Sequence, residues 1–498
     1  MSATPAPAPS PAPLPTTPPT RRVAVNTALR AAAEVLGKVA TLVLTIVMLS
    51  QLGPGAVGDF GFALAVTQLY WPLAGFGLDR LMLRHIAIEG DDATARMVPQ
   101  LNAMKLCVGL VCIVVGTSAV YLATDDDTVT LVTLILGFTL LATLIGATAQ
   151  SVFMAKERTQ DYFFAALPVK VIGAFLGIAV LLLGGGLLAV AWTSLVAALL
   201  GIGIGWWLLG RKYGQPPAGL AGTPRTWWPL AREAGPWGMQ EVFGQITFRV
   251  GIIVLYLYAG RSVTGEYRVA YQLLEATLFL PWSIGTSVLP IIARAQRGKT
   301  VGDEPSLEAI TRGSIELVIV LMIPIALVLG ICAAPLLGLI DDQAVPAADY
   351  LPYLAVASVV YGVGHLAGIV ALSHLPGRRT VEATALAALF SVTVVLLLIP
   401  SEAARGAALA ALATEVVLAA LTLRLAVRAA GPSILRGMLS IGLVGGAVMA
   451  VVMWPLRDHL FLALLAGGTA YTVVVALLEY RRRGPAWELM RSILPGAR

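Results

Sequence analysis

Residues 34–63 read EVLGKVATLVLTIVMLSQLGPGAVGDFGFA, and residues 241–270 read EVFGQITFRVGIIVLYLYAGRSVTGEYRVA. Set against each other at an offset of 207 without a gap, Glu34-Val35 meets Glu241-Val242, Gly37 meets Gly244, Val39 meets Ile246 and Val43 meets Val250. Farther on, Gly53 meets Gly260, Gly58-Asp59-Phe60 meets Gly265-Glu266-Tyr267, and Ala63 meets Ala270. Coincidence among apolar residues is common, but matched glycines together with two matched carboxylates are not. The chain carries an internal duplication.

Each copy holds an apolar segment, and such segments recur from one end of the chain to the other. Of the 498 residues 58% are hydrophobic and 12% are charged, and the mean hydropathy is +0.83. A soluble domain carries roughly 25% charged residues, so a soluble enzyme is excluded for want of a polar skin. The apolar segments run about 20 residues, enough to cross ~30 Å of hydrocarbon. With no water there to satisfy backbone groups, they must be helices. The spans fall at about 25–52, 56–80, 101–123, 129–154, 162–184, 187–210, 235–260, 265–293, 312–340, 350–373, 380–400, 404–427, 434–455 and 459–480. The predicted fold class is an all-α integral membrane protein of about fourteen transmembrane helices.

Charge orients it. The net charge of +6 is concentrated in alternate loops, which hold Arg80, Arg84, Arg96, Lys156, Arg158, Arg211, Lys212, Arg225, Arg232, Arg378 and Arg379 among others, with Arg481, Arg482 and Arg483 in the tail. The opposite loops hold Arg261, Arg268, Arg405 and Arg457 against an acidic set that includes Asp125, Asp126, Asp127, Asp341 and Asp342. This is the positive-inside pattern, and it puts both termini in the cytoplasm. The basic balance reflects topology and anionic lipid headgroups and calls for no nucleic acid. Cys107, Cys112 and Cys332 lie in apolar spans, without disulfide or metal spacing.

Spans one and seven both begin in the cytoplasm, so the duplicated units run parallel and are related by a pseudo-two-fold axis along the membrane normal. The predicted organisation is a Pro-rich disordered tail (1–22), a six-helix lobe (23–210), a cytoplasmic linker (211–234), a second six-helix lobe (235–430), two additional helices (431–480) and a tail (481–498). Two parallel lobes without an extramembrane domain suit a transporter that binds between its lobes near the midplane and rocks one against the other. That step is an analogy of fold.

The run Leu52-Gly53-Pro54-Gly55-Ala56-Val57-Gly58-Asp59-Phe60-Gly61, with Phe76-Gly77-Leu78-Asp79-Arg80 after it, resembles the first two spans of polysaccharide-type flippases. Val263-Thr264-Gly265-Glu266-Tyr267-Arg268-Val269-Ala270-Tyr271, followed by Leu289-Pro290, is similar to the eighth span of that family, within the multidrug/oligosaccharidyl-lipid/polysaccharide exporter superfamily. One departure is visible: Phe248 precedes Arg249 where many relatives have an acidic residue. The resemblance implies a bacterial cytoplasmic-membrane flippase for an undecaprenyl-pyrophosphate-linked oligosaccharide, working by alternating access for cell-surface polysaccharide biosynthesis. Its implied partners are that lipid-linked oligosaccharide, membrane lipids, and a polysaccharide polymerase and glycosyltransferases of the same pathway. Two other classes compete: a multidrug or ion-coupled exporter of the same superfamily, and a polyprenyl-dependent membrane glycosyltransferase. The last would want catalytic acids on a large outer domain, and the outer loops here are short.

Charges inside spans are functional candidates, since each costs at least ~2.5–3.5 kcal/mol near mid-bilayer. Arg249 lies twelve residues before Arg261, about 18 Å along a helix and so near the midplane. Glu241, Gln245 and Arg249 step by four along one helix face, and a guanidinium there can bind pyrophosphate oxygens in pairs. Arg30, Glu34 and Lys38 repeat the four-residue step in span one. The candidate substrate-binding set is Arg249, Arg30, Lys38, Gln245 and Glu275. Glu34 and Glu241, equivalent in the repeat, are candidates for gating or ion coupling. Ion pairs that only fix helix packing, and cations snorkelling to headgroups, would use the same residues. Asp59 and Glu266 read as helix caps, and Glu415 as either cavity lining or interhelical bonding. Without a metal cluster, nucleophile–base pair or phosphate-binding glycine loop, the sequence calls for no cofactor and no catalytic residue.

Overall fold

The computed structural model describes residues 19–156, 158–167, 171–213, 220–296, 306–435 and 439–482, and in its first helix describes side chains from Val35 onward. Its regular structure among the described residues is helical. The first half comprises α1 (Pro19–Gly75), α2 (Leu78–Glu89), α3 (Asp91–Thr124), α4 (Asp127–Ala155), α5 (Thr159–Leu167), α6 (Gly173–Leu182) and α7 (Leu187–Tyr213). The second comprises α8 (Pro224–Thr277), α9 (Phe279–Gln296), α10 (Leu307–Ile331), α11 (Ala333–Ile340), α12 (Leu351–His374) and α13 (Gly377–Ala430), and the chain continues into α14 (Ser440–Met453) and α15 (Leu460–Arg482).

Ten helical stretches are long and apolar enough to cross a membrane. Three of them, at 35–89, 224–289 and 377–430, run 54 to 66 residues, or more than ~80 Å at 1.5 Å per residue, over twice a hydrocarbon core. Each bends sharply and crosses twice. The chain is a multi-pass helical membrane protein, with the shorter apolar α6 among its described helices.

The bends carry the duplication into the backbone. α1 breaks at Gly53 (φ 80°, ψ 174°) and α8 at Gly260 (φ 83°, ψ 178°), two glycines equivalent in the repeat and bent alike. Both occupy a positive-φ conformation that a side chain disfavours, which is why glycine stands at both. α13 turns instead at Ala403 (φ 45°, ψ −123°), after Pro400.

Helix ends follow local chemistry. The Asp126 carboxylate accepts from the Thr128 and Val129 amides at 2.8 and 3.1 Å and starts α4, so part of the acidic run is an N-cap. α8 opens with a Thr223/Thr226 capping box ahead of Pro224, so helix occupies 224–234 of the expected linker. Other boundaries also differ from the sequence expectation, and α3 starts at Asp91, ahead of the expected 101. Span two stops at Gly75 and gives way, across Phe76-Gly77, to the less hydrophobic α2; span nine ends at Ile331, with α11 beginning after Cys332.

The most extensive packing between elements is α1 on α8, which joins the two halves. A shared core at this seam draws on both, including Met48, Leu49 and Val57 from α1 and Ile252, Leu255, Tyr267 and Tyr271 from α8. α14 and α15 pack chiefly on each other and on α10. Large apolar side chains point outward along α3 (Val111, Val114, Val115) and along α14 and α15 (Val451, Phe461, Leu465), as a surface facing lipid requires.

Candidate functional site

The seam between the halves is sealed at the end where α1 and α8 bend and hollow toward the other. At the sealed end α1 and α8 touch backbone to backbone. A Cβ on Gly58 would lie 1.9 Å from the Arg261 carbonyl oxygen, and one on Gly265 would lie 1.8 Å from that of Pro54. These two contacts are images of each other under the 207-residue repeat, so the pseudo-two-fold axis passes between them. Beside the axis Asp59 is buried, pairs with Arg261, and accepts a hydrogen bond from the Tyr256 hydroxyl at 2.8 Å. Asp59 is therefore an interlobe contact and not the helix cap expected from its position. Deeper in, Thr45 donates to the Gln272 amide oxygen at 3.1 Å.

Below the seal lies a cavity of about 250 Å³ lined by Lys38, Gln245, Phe248, Arg249, Glu275, Leu278, Phe279, Trp282 and Tyr361. Glu275 organises it. One carboxylate oxygen accepts from Arg249 Nη1 at 2.8 Å and the other from Arg268 Nη1 at 3.1 Å. Arg268 sits seven residues before Glu275, two turns along the same helix, so α8 supplies all three charges, Arg249 before its bend at Gly260 and Arg268 and Glu275 after it. With Lys38 added, three cations face one carboxylate. Two polar atoms at the site are buried without a partner in the structure, Arg249 Nε and Gln245 Oε1. Buried polar groups ordinarily find partners, so both are available to a ligand.

A second cavity of about 380 Å³ shares Gln245 and Phe248 with the first and reaches Trp71, Asp79, Arg80 and Glu241. Here Arg80 Nη2 meets Glu241 Oε1 at 3.3 Å across the lobes, and His85 Nε2 meets Glu233 Oε1 at 3.3 Å. The α1–α2 junction is anchored by Lys105, which is fully buried and donates to Asp79 (2.6 Å), Thr148 (2.9 Å) and the Leu144 carbonyl (3.1 Å). A third cavity of about 490 Å³ shares Trp282 and Tyr361 with the first and Arg80 with the second, and is walled by α9, α12 and α13. All three belong to one cleft between the lobes, extending toward the end rich in Arg and Lys.

Of the residues singled out from sequence, Arg249, Gln245, Lys38 and Glu275 line the central cavity, and Glu241 lines the one beside it. The side chains of Arg30 and Glu34 lie outside the described residues, and with them the expectation that Glu34 faces Glu241. The i, i+4, i+8 face of Glu241, Gln245 and Arg249 does point into the cleft. Arg268, an outer-loop charge in the sequence pattern, is buried beside Glu275. Its signal was the Glu275 carboxylate two turns on, masked by the nearby Glu266. Lys105, a lone lysine inside an apolar span, carries the same kind of signal in the sequence.

A family model described as "Polysaccharide biosynthesis protein" matches residues 23–296, more than half of the chain. No curated protein matches in sequence. Among solved structures, a lipid II flippase, MurJ, in an inward closed conformation superposes with a TM-score of 0.72 at 12% identity, over 90% of this chain and 98% of that one. An inward-facing multidrug resistance MATE transporter of the MOP superfamily gives 0.62 at 12%, over 78% and 93%. A MOP superfamily transporter from Pyrococcus furiosus gives 0.58 at 13%, over 83% and 96%. Identities this low show a common fold, which is that of MOP transporters. The chain belongs to the polysaccharide biosynthesis protein family.

Proposed function

We propose that the protein is a flippase that turns an undecaprenyl-pyrophosphate-linked oligosaccharide from the inner to the outer face of the bacterial cytoplasmic membrane, with both of its termini in the cytoplasm. The observation that carries this reading is Arg249. It stands in a cavity between two lobes, shares one carboxylate with Arg268, keeps Nε unpartnered, and has Lys38 of α1 lining the same cavity. A pyrophosphate supplies what this arrangement lacks, an anion with several acceptor oxygens, and guanidinium binds such oxygens in pairs.

The cleft would admit the headgroup from the basic end, while the prenyl chain stays in the bilayer beside the lobes. Rocking the lobes would break the seal at Gly58 and Gly265 and open the same cavity to the far side, as in other two-lobed transporters. No covalent chemistry belongs to this cycle, and no residue acts as a catalyst. In the cell the partners would be the polymerase and glycosyltransferases that consume and supply the lipid-linked glycan.

The test is transport by purified protein in proteoliposomes. A fluorescent undecaprenyl-pyrophosphate oligosaccharide is expected to reach the opposite leaflet at a rate that protein-free vesicles do not match. Movement of cationic dyes against an ion gradient, with no movement of any lipid-linked glycan tried, would replace this reading with a drug exporter.

A further inference from the structure

The cleft is divided by charge, and the division bears on what the headgroup contains. Around Arg249 the cations Lys38, Arg249 and Arg268 outnumber Glu275. The adjoining cavity of about 490 Å³ is different in kind. Its lining includes Thr286 from α9, His365 from α12, and Glu415 and Thr422 from α13, and its one Lys or Arg among the described residues is Arg80 of α2. Glu415 has no ion pair among the described residues. His365 Nε2 is buried without a hydrogen-bond partner and points toward α9, where a Cβ on Gly285 would lie 3.3 Å from it. The His365 ring stacks on Tyr361 with centroids 5.4 Å apart, which fixes its direction. Gly364 lets α12 pack closely on Ala419 of α13, where a Cβ would lie 3.0 Å from the Ala419 Cα.

The geometry points to this cavity as a glycan subsite for uncharged sugars, continuous with the pyrophosphate site. The inference rests on the flippase reading. Trp282 and Tyr361 belong to both cavities, so a group bound beside Arg249 and a group in the side cavity share one wall, as two covalently joined parts of a headgroup would. A hydroxyl-bearing ring matches the lining: aromatic faces suit its apolar side, while Glu415, His365, Thr286 and Thr422 suit its hydroxyl rim. A prenyl chain does not match it. A tail would strip water from Glu415 and His365 and return no hydrogen bond, which is costly for a polar group and more so for a charge. An acidic sugar does not match either, because the one cation in the lining among the described residues, Arg80, already pairs with Glu241, and a carboxylate taken out of water without a cation is costly.

The experiment compares binding of three lipids to full-length protein in nanodiscs: undecaprenyl pyrophosphate alone, the same lipid with a neutral N-acetylhexosamine disaccharide, and the same lipid with a uronic acid in the disaccharide. Wild type is expected to bind the neutral glycolipid about ten-fold more tightly than the bare lipid, the scale of one or two well-placed hydrogen bonds, and the acidic one no better than the bare lipid. Glu415→Gln and His365→Phe should erase most of that ten-fold gain and leave binding of the bare lipid unchanged, which also shows that the variants are folded. A neutral glycan that adds nothing in wild type, or a variant that weakens all three lipids alike, would overturn the subsite and leave the pyrophosphate site standing. Failure of wild type to bind bare undecaprenyl pyrophosphate would instead remove the flippase reading, and this inference with it.

Discussion

Glu275 holds two guanidiniums at once, and its removal is not equivalent to removal of either partner. With Glu275→Gln, Arg249 and Arg268 are left as like charges in a low-dielectric site with Lys38 nearby. Breaking a buried pair this way costs about 3–5 kcal/mol. With Arg249→Gln, Glu275 keeps Arg268 at 3.1 Å, and the expected loss is about 1 kcal/mol. Unfolding in detergent, followed by tryptophan fluorescence, should therefore rank Glu275→Gln well below Arg249→Gln; equal losses would mean that the carboxylate does not organise the cluster. Arg249 and Glu275 could be read from sequence because each is a charge deep in an apolar run. Arg268 could not be placed so simply. It follows Gly265-Glu266 near a span end, and only the sharp bend at Gly260 decides that the helix has already turned back before it.

The bends at Gly53 and Gly260 and the contact between Gly58 and Gly265 make α1 and α8 a matched pair of hinged elements. Gly58→Ala puts a methyl where the Arg261 carbonyl lies, and backbone cannot yield as a flexible side chain can. The variant should hold the lobes apart at the sealed end, and transport should fall at least ~ten-fold. Accessibility of a cysteine placed near Gly55 to a membrane-impermeant reagent, added from outside, is expected to rise. No change in labelling would show that the seal lies elsewhere. A different tie secures α5 to α7. Asp161 is buried, pairs with Lys212, and accepts from Arg158 Nε at 3.2 Å. Burial alone would raise its carboxyl, but the hydrogen bonds and charges of Lys212 and Arg158 prevail and hold it below its ordinary value. A carboxyl lowered by folding contributes stability above its unfolded value and loses it as pH falls through the folded one. The acid-induced loss of stability below about pH 4 should thus be smaller in Asp161→Asn than in wild type, as read from unfolding midpoints across pH. Among the elements, the spans themselves were legible because twenty apolar residues leave few alternatives. The breaks at Phe76-Gly77 and Cys332 were not, since apolar composition continues through the second and the first depends on how α2 packs.

Taken whole, the molecule is two lobes sealed at one end and hollow toward the other. That state is held by polar ties at both ends: Asp59 with Arg261 and Tyr256 at the sealed end, Thr45 with Gln272 deeper in, and Arg80 with Glu241 and His85 with Glu233 at the basic end. Removing one of them shifts the balance between the two openings only by its difference in strength between states. Asp59→Asn is expected to favour the opposite opening by about 1–2 kcal/mol, seen as a rise in outside labelling of the same cysteine without loss of thermal stability on the scale of Glu275→Gln. The duplication was readable in the sequence because matched glycines serve matched backbone geometry. The cleft's division into a cationic centre and a cation-poor side cavity was not, because it joins residues of α8, α9, α12 and α13 that no spacing relates. The most direct measurement is flipping of an undecaprenyl-pyrophosphate oligosaccharide by wild type and by Arg249→Ala in proteoliposomes, each checked for folding by its melting profile. Loss of flipping in a folded Arg249→Ala protein is the predicted result; flipping at the wild-type rate would contradict a pyrophosphate site built on that side chain.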